Sequence, residues 1–387
     1  VGERMQHTKP NSTRSFRVIT DPPAARNVSR SMAFSVVDLP GYYRNMADLA
    51  GLELNALIRV IDSIPFFSNG PRHLLLRRVI LQVLREDRID AWQPIVDEEV
   101  DTAISRLGNS AVVDLVEDFA DPLFARVMTR LFGLPRDQAD NLNRWAETVR
   151  FVSELLLPIR RVRQMNDAAD QLLEAIRSKD ARTRRLRDTS IASMLERAAG
   201  TDLTAEEVDA LIAGLFIAGQ TTAHTLSNIL LLVLRLDPEQ RPLPTDPAPR
   251  RNAVEDLIRR GGAPQYLLRI AREDKTVGGH DLEVGDPVLV HIPSANRLTD
   301  GAGIPPATTG GCPFGQAPDV KPHFSFGAGI HHCPGAPLAR MLIDTALHKL
   351  LNAFPEIELL DPEPEMFGTD IIKSPRSLSS RLTATAS

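Results

Sequence analysis

Apolar residues recur at helical spacing through most of this chain. Within 89–107, Ile89, Trp92, Ile95, Val96, Val100, Ile104 and Leu107 fall on one face of a 3.6-residue repeat, which predicts an amphipathic helix whose regular part starts near Pro94. The same spacing predicts helices over 115–132, over 137–157 through Trp145 with a stop at Pro158, and over 162–176 with a charged outer face. Thr204-Ala205-Glu206-Glu207 reads as a capping box, in which Thr204 and Glu207 satisfy each other's free backbone N–H groups. The apolar run behind it continues to about Leu236, broken at 219–222 by Gly219, Thr221 and Thr222. A helix so long and apolar on most sides belongs in a protein interior. Strand signals are few. Alternation at 15–20 (Phe16, Val18, Thr20) and a Gly-Asp turn followed by Pro287-Val288-Leu289-Val290 predict members of small sheets. The Gly- and Pro-rich stretch 300–322 predicts an irregular loop. With no internal repeat and no dividing linker, the expected architecture is mainly α with small β-sheets (α+β), as one domain over 1–387.

Composition narrows the function classes. A formal net charge of -5 and the lack of a long basic run argue against nucleic acid as a partner. Two cysteines, Cys312 and Cys333, cannot build a disulfide framework, and a reducing cytoplasm is the expected location. Residues 1–17 are polar with no secretory signal, and the longest uninterrupted apolar run, 229–234, falls far short of the roughly 20 residues of a membrane span. A soluble chain that does not enter a membrane is expected. Its first residue is Val, and part of the N-terminus is expected to be missing or disordered.

The densest chemistry lies in Phe324-Ser325-Phe326-Gly327-Ala328-Gly329-Ile330-His331-His332-Cys333-Pro334-Gly335, followed by a helix carrying Leu338, Leu342, Ala346, Leu350 and Phe354 on one face. Gly327, Gly329 and Gly335 let the backbone turn sharply and approach a flat cofactor. Cys333 precedes a helix N-terminus, where free N–H groups and the dipole favour thiolate over thiol by roughly 0.3–2 kcal/mol. Phe326 can pack on a porphyrin or shield the sulfur. Two other readings stand beside this one: a buried cysteine acting only as a small apolar residue, and a zinc site from His323, His331, His332 and Cys333, although the paired spacing of structural zinc ligands is lacking.

The loop resembles the cytochrome P-450 heme-binding loop, F-G-x-G-x-H-x-C-x-G, at Phe326, Gly327, Gly329, His331, Cys333 and Gly335. Six fixed positions match by chance on the order of 10⁻⁸ per window. The resemblance implies the family's fold, with heme between a long central helix and the cysteine loop and its helix. It also implies that Cys333 is the axial ligand of heme b (iron protoporphyrin IX), donating electrons that favour O–O cleavage. Further segments are similar to the family in order. His73 and Arg77, four apart on one helix face, would bind a heme propionate, as would Arg269 and His331. Asp256 and Arg259 stand where the family has a buried E-x-x-R pair, with Arg297 supplying a second arginine; Glu255 could instead reach Arg259 as a surface pair. The shorter Asp256 would call for a water or a backbone shift.

Ala218-Gly219-Gln220-Thr221-Thr222 resembles the family's oxygen-binding motif A-G-x-[DE]-T. Gly219 would leave space for dioxygen, and Thr222 would hydrogen-bond the oxygen or a proton-delivering water. Thr221 stands where the family has its acid, so protons would come from water, another side chain or the substrate; His224 is near in sequence but lies further round the helix. By the same resemblance Phe66, Phe67, Phe151, Phe216, Tyr266 and Phe367 are pocket candidates for an apolar organic substrate, free or tethered to a carrier protein. No flavin or nicotinamide motif is present, so ferredoxin and ferredoxin reductase are expected as electron donors, landing on Arg72, Arg78, Arg85 and Arg340. The implied activity is dioxygen-dependent oxidation of a small natural-product-like molecule by hydroxylation, coupling, cyclisation or desaturation. The alternative is a catalytically idle homologue serving as a scaffold.

Overall fold

The computed structural model describes residues 16–108, 112–154, 157–178, 181, 189–297, 314, 322–368 and 371–383. The chain enters on β1 (Arg17–Ile19) and α1 (Pro22–Arg30), whose start is capped by Asp21 accepting from the Ala24 N–H at 2.9 Å. β2 (Phe34–Ser35), α2 (Leu39–Ala50), α3 (Asn55–Asp62) and α4 (Gly70–Val83) follow. Next come α5 (Glu86–Ile89), α6 (Gln93–Leu107), β3 (Val112–Asp114), α7 (Asp121–Phe132), α8 (Ala139–Val149), α9 (Ile159–Arg177) and α10 (Ile191–Ala199). The central pair is α11 (Ala205–Gly219) and α12 (Thr221–Leu234), then α13 (Pro247–Gly261).

The capping box at Thr204 forms in both directions, Glu207 N–H to Thr204 Oγ1 at 3.2 Å and Thr204 N–H to Glu207 Oε2 at 2.8 Å. By length and composition the stretch Ala205–Leu234 could cross a membrane, but two thirds of its apolar 18-residue window is buried within the protein, as befits a core helix. It anchors the larger hydrophobic core, with Leu211, Ile212, Phe216, Ile229 and Leu230 all fully enclosed.

A four-stranded sheet runs in the order β1-β7-β4-β2, using β4 (Tyr266–Ala271) and β7 (Pro287–His291); β5 (Lys275–Val277) and β6 (His280–Leu282) form a hairpin between them. β1 is parallel to β7, and β4 is antiparallel to it with Leu268 opposite Leu289. Burial alternates along β4, so Arg269 is turned inward with Leu267 and Ala271. A smaller core lies under this sheet. α14 (Ile292–Arg297) closes the sheet region, and α15 (Ala336–Ala353) follows the cysteine loop. The chain finishes on β8 (Glu356–Leu359), the hairpin of β9 (Met366–Gly368) and β10 (Lys373–Pro375), and β11 (Ser379–Thr383).

Two predicted helices are shorter than their patterns. Residues 115–120 form a wide π-type turn capped by Asp114, before α7 begins. α8 stops at Val149, and a 3-10 turn over Arg150–Ser153 brings the Val152 carbonyl to the Tyr43 hydroxyl at 3.0 Å. Tertiary contacts, which periodicity does not register, decide both. Cys312 and most of 300–322 lie outside the described residues.

Candidate functional site

The cysteine loop is built from backbone turns. Gly327 and Gly329 both have φ of +68°, a region that disfavours any side chain. A Cβ on Gly329 would also lie 2.8 Å from the Ser29 carbonyl oxygen, because α1 closes directly over the loop. The Cys333 N–H donates to the Phe326 carbonyl at 2.9 Å, which folds the loop back on itself. Cys333 sits two residues ahead of Gly335, the N-cap of α15, and the backbone N–H groups of Gly335 and Ala336 aim at its sulfur. Burial nevertheless outweighs these groups and pushes the thiol up, with the charges of Arg77 and Arg340 pulling the other way. The helix terminus favours the thiolate as expected, but its contribution is smaller than that of burial. A metal cation coordinated there would supply the missing charge, since coordination deprotonates a thiol outright.

Zinc finds no home here. Among the described residues no three His, Cys, Asp or Glu side chains converge on a metal position. His323 turns instead to Glu255 at 2.9 Å.

The residues expected at a heme edge do come together. Arg269 is 2% exposed; its Nη1 donates to the Leu268 carbonyl, while its Nη2 is buried without a partner. Burial lowers its pKa to about 10. His331 Nδ1 is likewise buried and unpartnered, and burial, then the nearby His73, Arg269 and Arg77, hold His331 down at about 3. The His73 and His331 ring centroids are 4.2 Å apart. The two His73 nitrogens face the carbonyls of Pro65 (3.2 Å) and Ile330 (3.1 Å), of which a neutral ring can donate to only one. Arg77 Nη1 donates to the His332 carbonyl at 2.7 Å. A buried donor with no acceptor costs about 1–3 kcal/mol. Arg269 Nη2 is such a donor, and His331 Nδ1 is a second in the tautomer that protonates it; crowded among cations they ask for anionic oxygens, and the carboxylates of a heme are of that kind, so the residues present fit the group.

Around this core several expectations change. Asp256 reaches Arg259 directly, with Oδ1 accepting from Nε at 2.8 Å and Nη2 at 2.6 Å, so the shorter side chain calls for no water or backbone shift. Arg297 is not the second arginine. It is exposed and donates to the Pro293 carbonyl one helical turn back, and Arg260 meets the other Asp256 oxygen at 3.1 Å. Asn296 forms the bridge instead, accepting from the Phe324 N–H and donating to the Arg259 carbonyl. Glu255 makes no surface pair with Arg259. It accepts from Arg340 twice at 2.6 Å and from His323, and although burial alone would raise its pKa, these bonds hold it at about 2. Arg340 in turn stacks 4.6 Å from the centre of the Phe326 ring. No sequence signal flagged this clamp from α13 to α15, because its partners are 85 positions apart.

On the oxygen side, Ala218 is exposed and Thr222 half-buried, four apart on one helix face. Thr225 and Ser227 bond back to the carbonyls four residues earlier, and Thr221 bonds the Ala218 carbonyl at 3.1 Å; Thr222 makes no such bond among the described residues. Gly219 is corrected. A Cβ there would meet Met128 and Phe124 at 3.1 Å, so its small size serves the contact with α7, one residue round the helix from the open face. His224 points away from Thr222, between Glu147 (3.1 Å) and Ser374 (3.1 Å).

The pocket candidates separate. Phe216 is fully buried between Phe124 and Phe132 and belongs to the core, because helical rotation turns it toward α7. Phe66 lies against Phe67 and under Arg269, and Tyr266 lies against His291 on the sheet. Phe151 and Phe367, far apart in sequence, meet edge to face at 6.1 Å. The expected arginine landing patch is neutralised: Arg72 pairs with Glu207, Arg78 with Asp202, Arg85 with Asp87 and Arg340 with Glu255.

Comparison with known proteins supplies independent findings. The family profile described as Cytochrome P450 matches residues 54–240. The chain is 30% identical over 296 residues to 6-deoxyerythronolide B hydroxylase of Saccharopolyspora erythraea, covering 76% of this chain and 70% of that one. It is 33% identical over 319 residues to cytochrome P450-SU2 of Streptomyces griseolus, covering 79% and 74%. Among solved structures it resembles P450BioI, captured in complex with an acyl carrier protein ligated to hexadec-9Z-enoic acid, with a TM-score of 0.78 at 23% identity over 94% of this chain and 91% of that one. At that identity the likeness is one of fold.

Proposed function

Because this chain belongs to the cytochrome P450 family, we propose that it holds heme b through Cys333 and oxidises a small, natural-product-like organic molecule with dioxygen. The family carries a heme–iron cofactor, and when bound this group supplies oxygen activation at an iron whose thiolate ligand favours O–O cleavage. The protein's own residues hold, orient and shield it. The N–H groups of Gly335 and Ala336 support the Cys333 sulfur. Arg269 and His331, with His73 and Arg77 beside them, offer donors to the two propionates. The observation that carries this reading is the pair of buried, unpartnered nitrogens, Arg269 Nη2 and His331 Nδ1, next to the loop that presents Cys333.

Thr222, whose hydroxyl is not spent on its own helix, is the group suited to hold a proton-delivering water beside the open face at Ala218. With Thr221 in place of an acid and His224 engaged by Glu147 and Ser374, the protons come from water or from the substrate. A ferredoxin and its reductase supply the electrons. Since the four expected arginines are paired, the docking surface is the cleft of about 460 Å³ outside the cysteine loop, where Arg26 and Arg30 stand with Phe326 and His332. That a structural relative was captured on an acyl carrier protein motivates testing carrier-tethered substrates as well as free ones.

The test is turnover under labelled dioxygen, with ferredoxin, reductase and a panel of free and carrier-bound compounds. Labelled oxygen in a product, or a coupled or desaturated product with oxygen consumed, is the expected result. Thr222→Ala is expected to divert oxygen to peroxide. A heme-loaded protein that turns over nothing in the panel would instead favour the idle scaffold.

A further inference from the structure

Arg150 is held where packing alone does not explain it. Its side chain is 4% exposed, and Nε donates to Glu147 Oε2 at 2.8 Å. Its Nη2 is buried and has no partner. An arginine at the end of a helix ordinarily turns such a group to water. This one is fixed by Glu147 behind and two rings in front, its guanidinium carbon 4.6 Å from the centre of Phe151 and 5.2 Å from that of Phe367. Those rings join the turn after α8 to the β9–β10 hairpin. Two more guanidinium groups cover them from outside, Arg161 at 4.4 Å from Phe151 and Arg376 at 5.3 Å from Phe367. Arg376 is paired with Glu365. Arg161 has no carboxylate partner among the described residues, where its one side-chain hydrogen bond is a long 3.5 Å contact to Gln164. Behind Arg150 lie Glu147, which also meets His224, and the buried Asp121; on the outer side of the aromatic pair the cation without a carboxylate partner among the described residues is Arg161.

We propose that this junction selects a substrate bearing a carboxylate, which accepts from Arg150 Nη2 under the field of Arg161 while Phe151 and Phe367 hold the adjoining apolar or aryl portion. The inference rests on the oxygenase reading and names its substrate class. A neutral carbonyl could accept one hydrogen bond but would gain nothing from Arg161, which is why a carboxylate is favoured.

The test is calorimetric binding to the heme-loaded protein of a panel of aryl- and alkylcarboxylic acids, each beside its methyl ester. A charge-assisted bond to a buried donor predicts that the best acid outbinds its ester by about 10- to 100-fold. Arg150→Gln is expected to lower acid binding to the level of the ester and so abolish that preference, and Arg161→Gln to weaken it and remove its salt dependence. If Arg150→Gln does not fold, the acid-to-ester ratio of the unaltered protein at rising ionic strength decides. An acid preference that survives Arg150→Gln, or no acid outbinding its ester, overturns the proposal. Binding is read without turnover, so an idle protein that still prefers acids would leave this inference standing while the oxygenase reading fell.

Discussion

The two sides of the site are built by different means. The cysteine side is a short contiguous loop whose shape comes from backbone: two left-handed glycines, a hydrogen bond from Cys333 back to Phe326, and a helix N-terminus beneath the sulfur. The roof is assembled from side chains of α7, α8, the turn after it, α12 and the last hairpin, with Asp121, Glu147, Arg150, His224 and Ser374 meeting across the whole chain. The difference separates two tasks. Holding a cofactor requires a local geometry that tolerates little change. Choosing a substrate requires a surface that can be rebuilt by single replacements in several elements. The charge arrangement differs too. On the cysteine side Glu255 is fully compensated by Arg340 and His323, whereas on the roof burial pushes Asp121 up to about 6, above its ordinary value.

The largest effect is expected on the cysteine side. Asp256→Ala removes the carboxylate that accepts from Arg259, 3% exposed, and from Arg260, and breaking such a buried pair costs roughly 3–5 kcal/mol. Denaturant titration of the heme-loaded protein should show this loss together with release of pigment. An unchanged midpoint would mean that bonds other than those of Asp256 hold the junction.

Acid should attack the same side next. The Glu255 pKa is depressed to about 2, so its contribution is complete above the unfolded value near 4.5 and is lost as pH falls toward 2. The shift corresponds to roughly 3 kcal/mol. Stability measured from pH 6 down to 3 should therefore fall in that window, and Glu255→Gln should flatten the fall by about 2 kcal/mol, the rest being lost only as pH approaches 2. If the variant keeps the slope of the parent, the clamp onto Arg340 is not what acid breaks.

The roof should respond in the opposite direction. Because the Asp121 pKa is raised, its ionisation opposes folding: the penalty is absent below the unfolded value near 4 and grows as pH rises through about 6. Asp121→Asn should therefore stabilise the protein at neutral pH by about 2 kcal/mol, with no gain in acid. A loss at neutral pH would show that Asp121 is held charged by His224 and Arg150, and that the contrast between the two sides is smaller than drawn.

The asymmetry also explains what could be read from sequence. Cys333, its glycines and the Thr204 capping box were legible because each acts within a few residues of itself. Asp256 with Arg259 was legible for the same reason, three positions along one helix. The Glu255–Arg340 clamp, the roles of Asn296 over Arg297, and the Phe151–Phe367 contact with Arg150 depend on side chains brought together from distant elements, and no local period records them. Gly219 and Phe216 were assigned to the site by motif, and the rotation of one residue around α11 turns both toward α7 instead. The four arginines of the expected landing patch looked basic in sequence because their acidic partners are remote, except Asp87 beside Arg85.

The central claim is the bond from Cys333 sulfur to heme iron. The direct measurement is the absorption spectrum of the reduced, heme-loaded protein under carbon monoxide, taken beside Cys333→Ser. The strongly red-shifted band of a thiolate-ligated heme in the parent, absent from a variant that still takes up pigment, is the predicted result. A band typical of a nitrogen-ligated heme in the parent, or the red-shifted band surviving in Cys333→Ser, would contradict it.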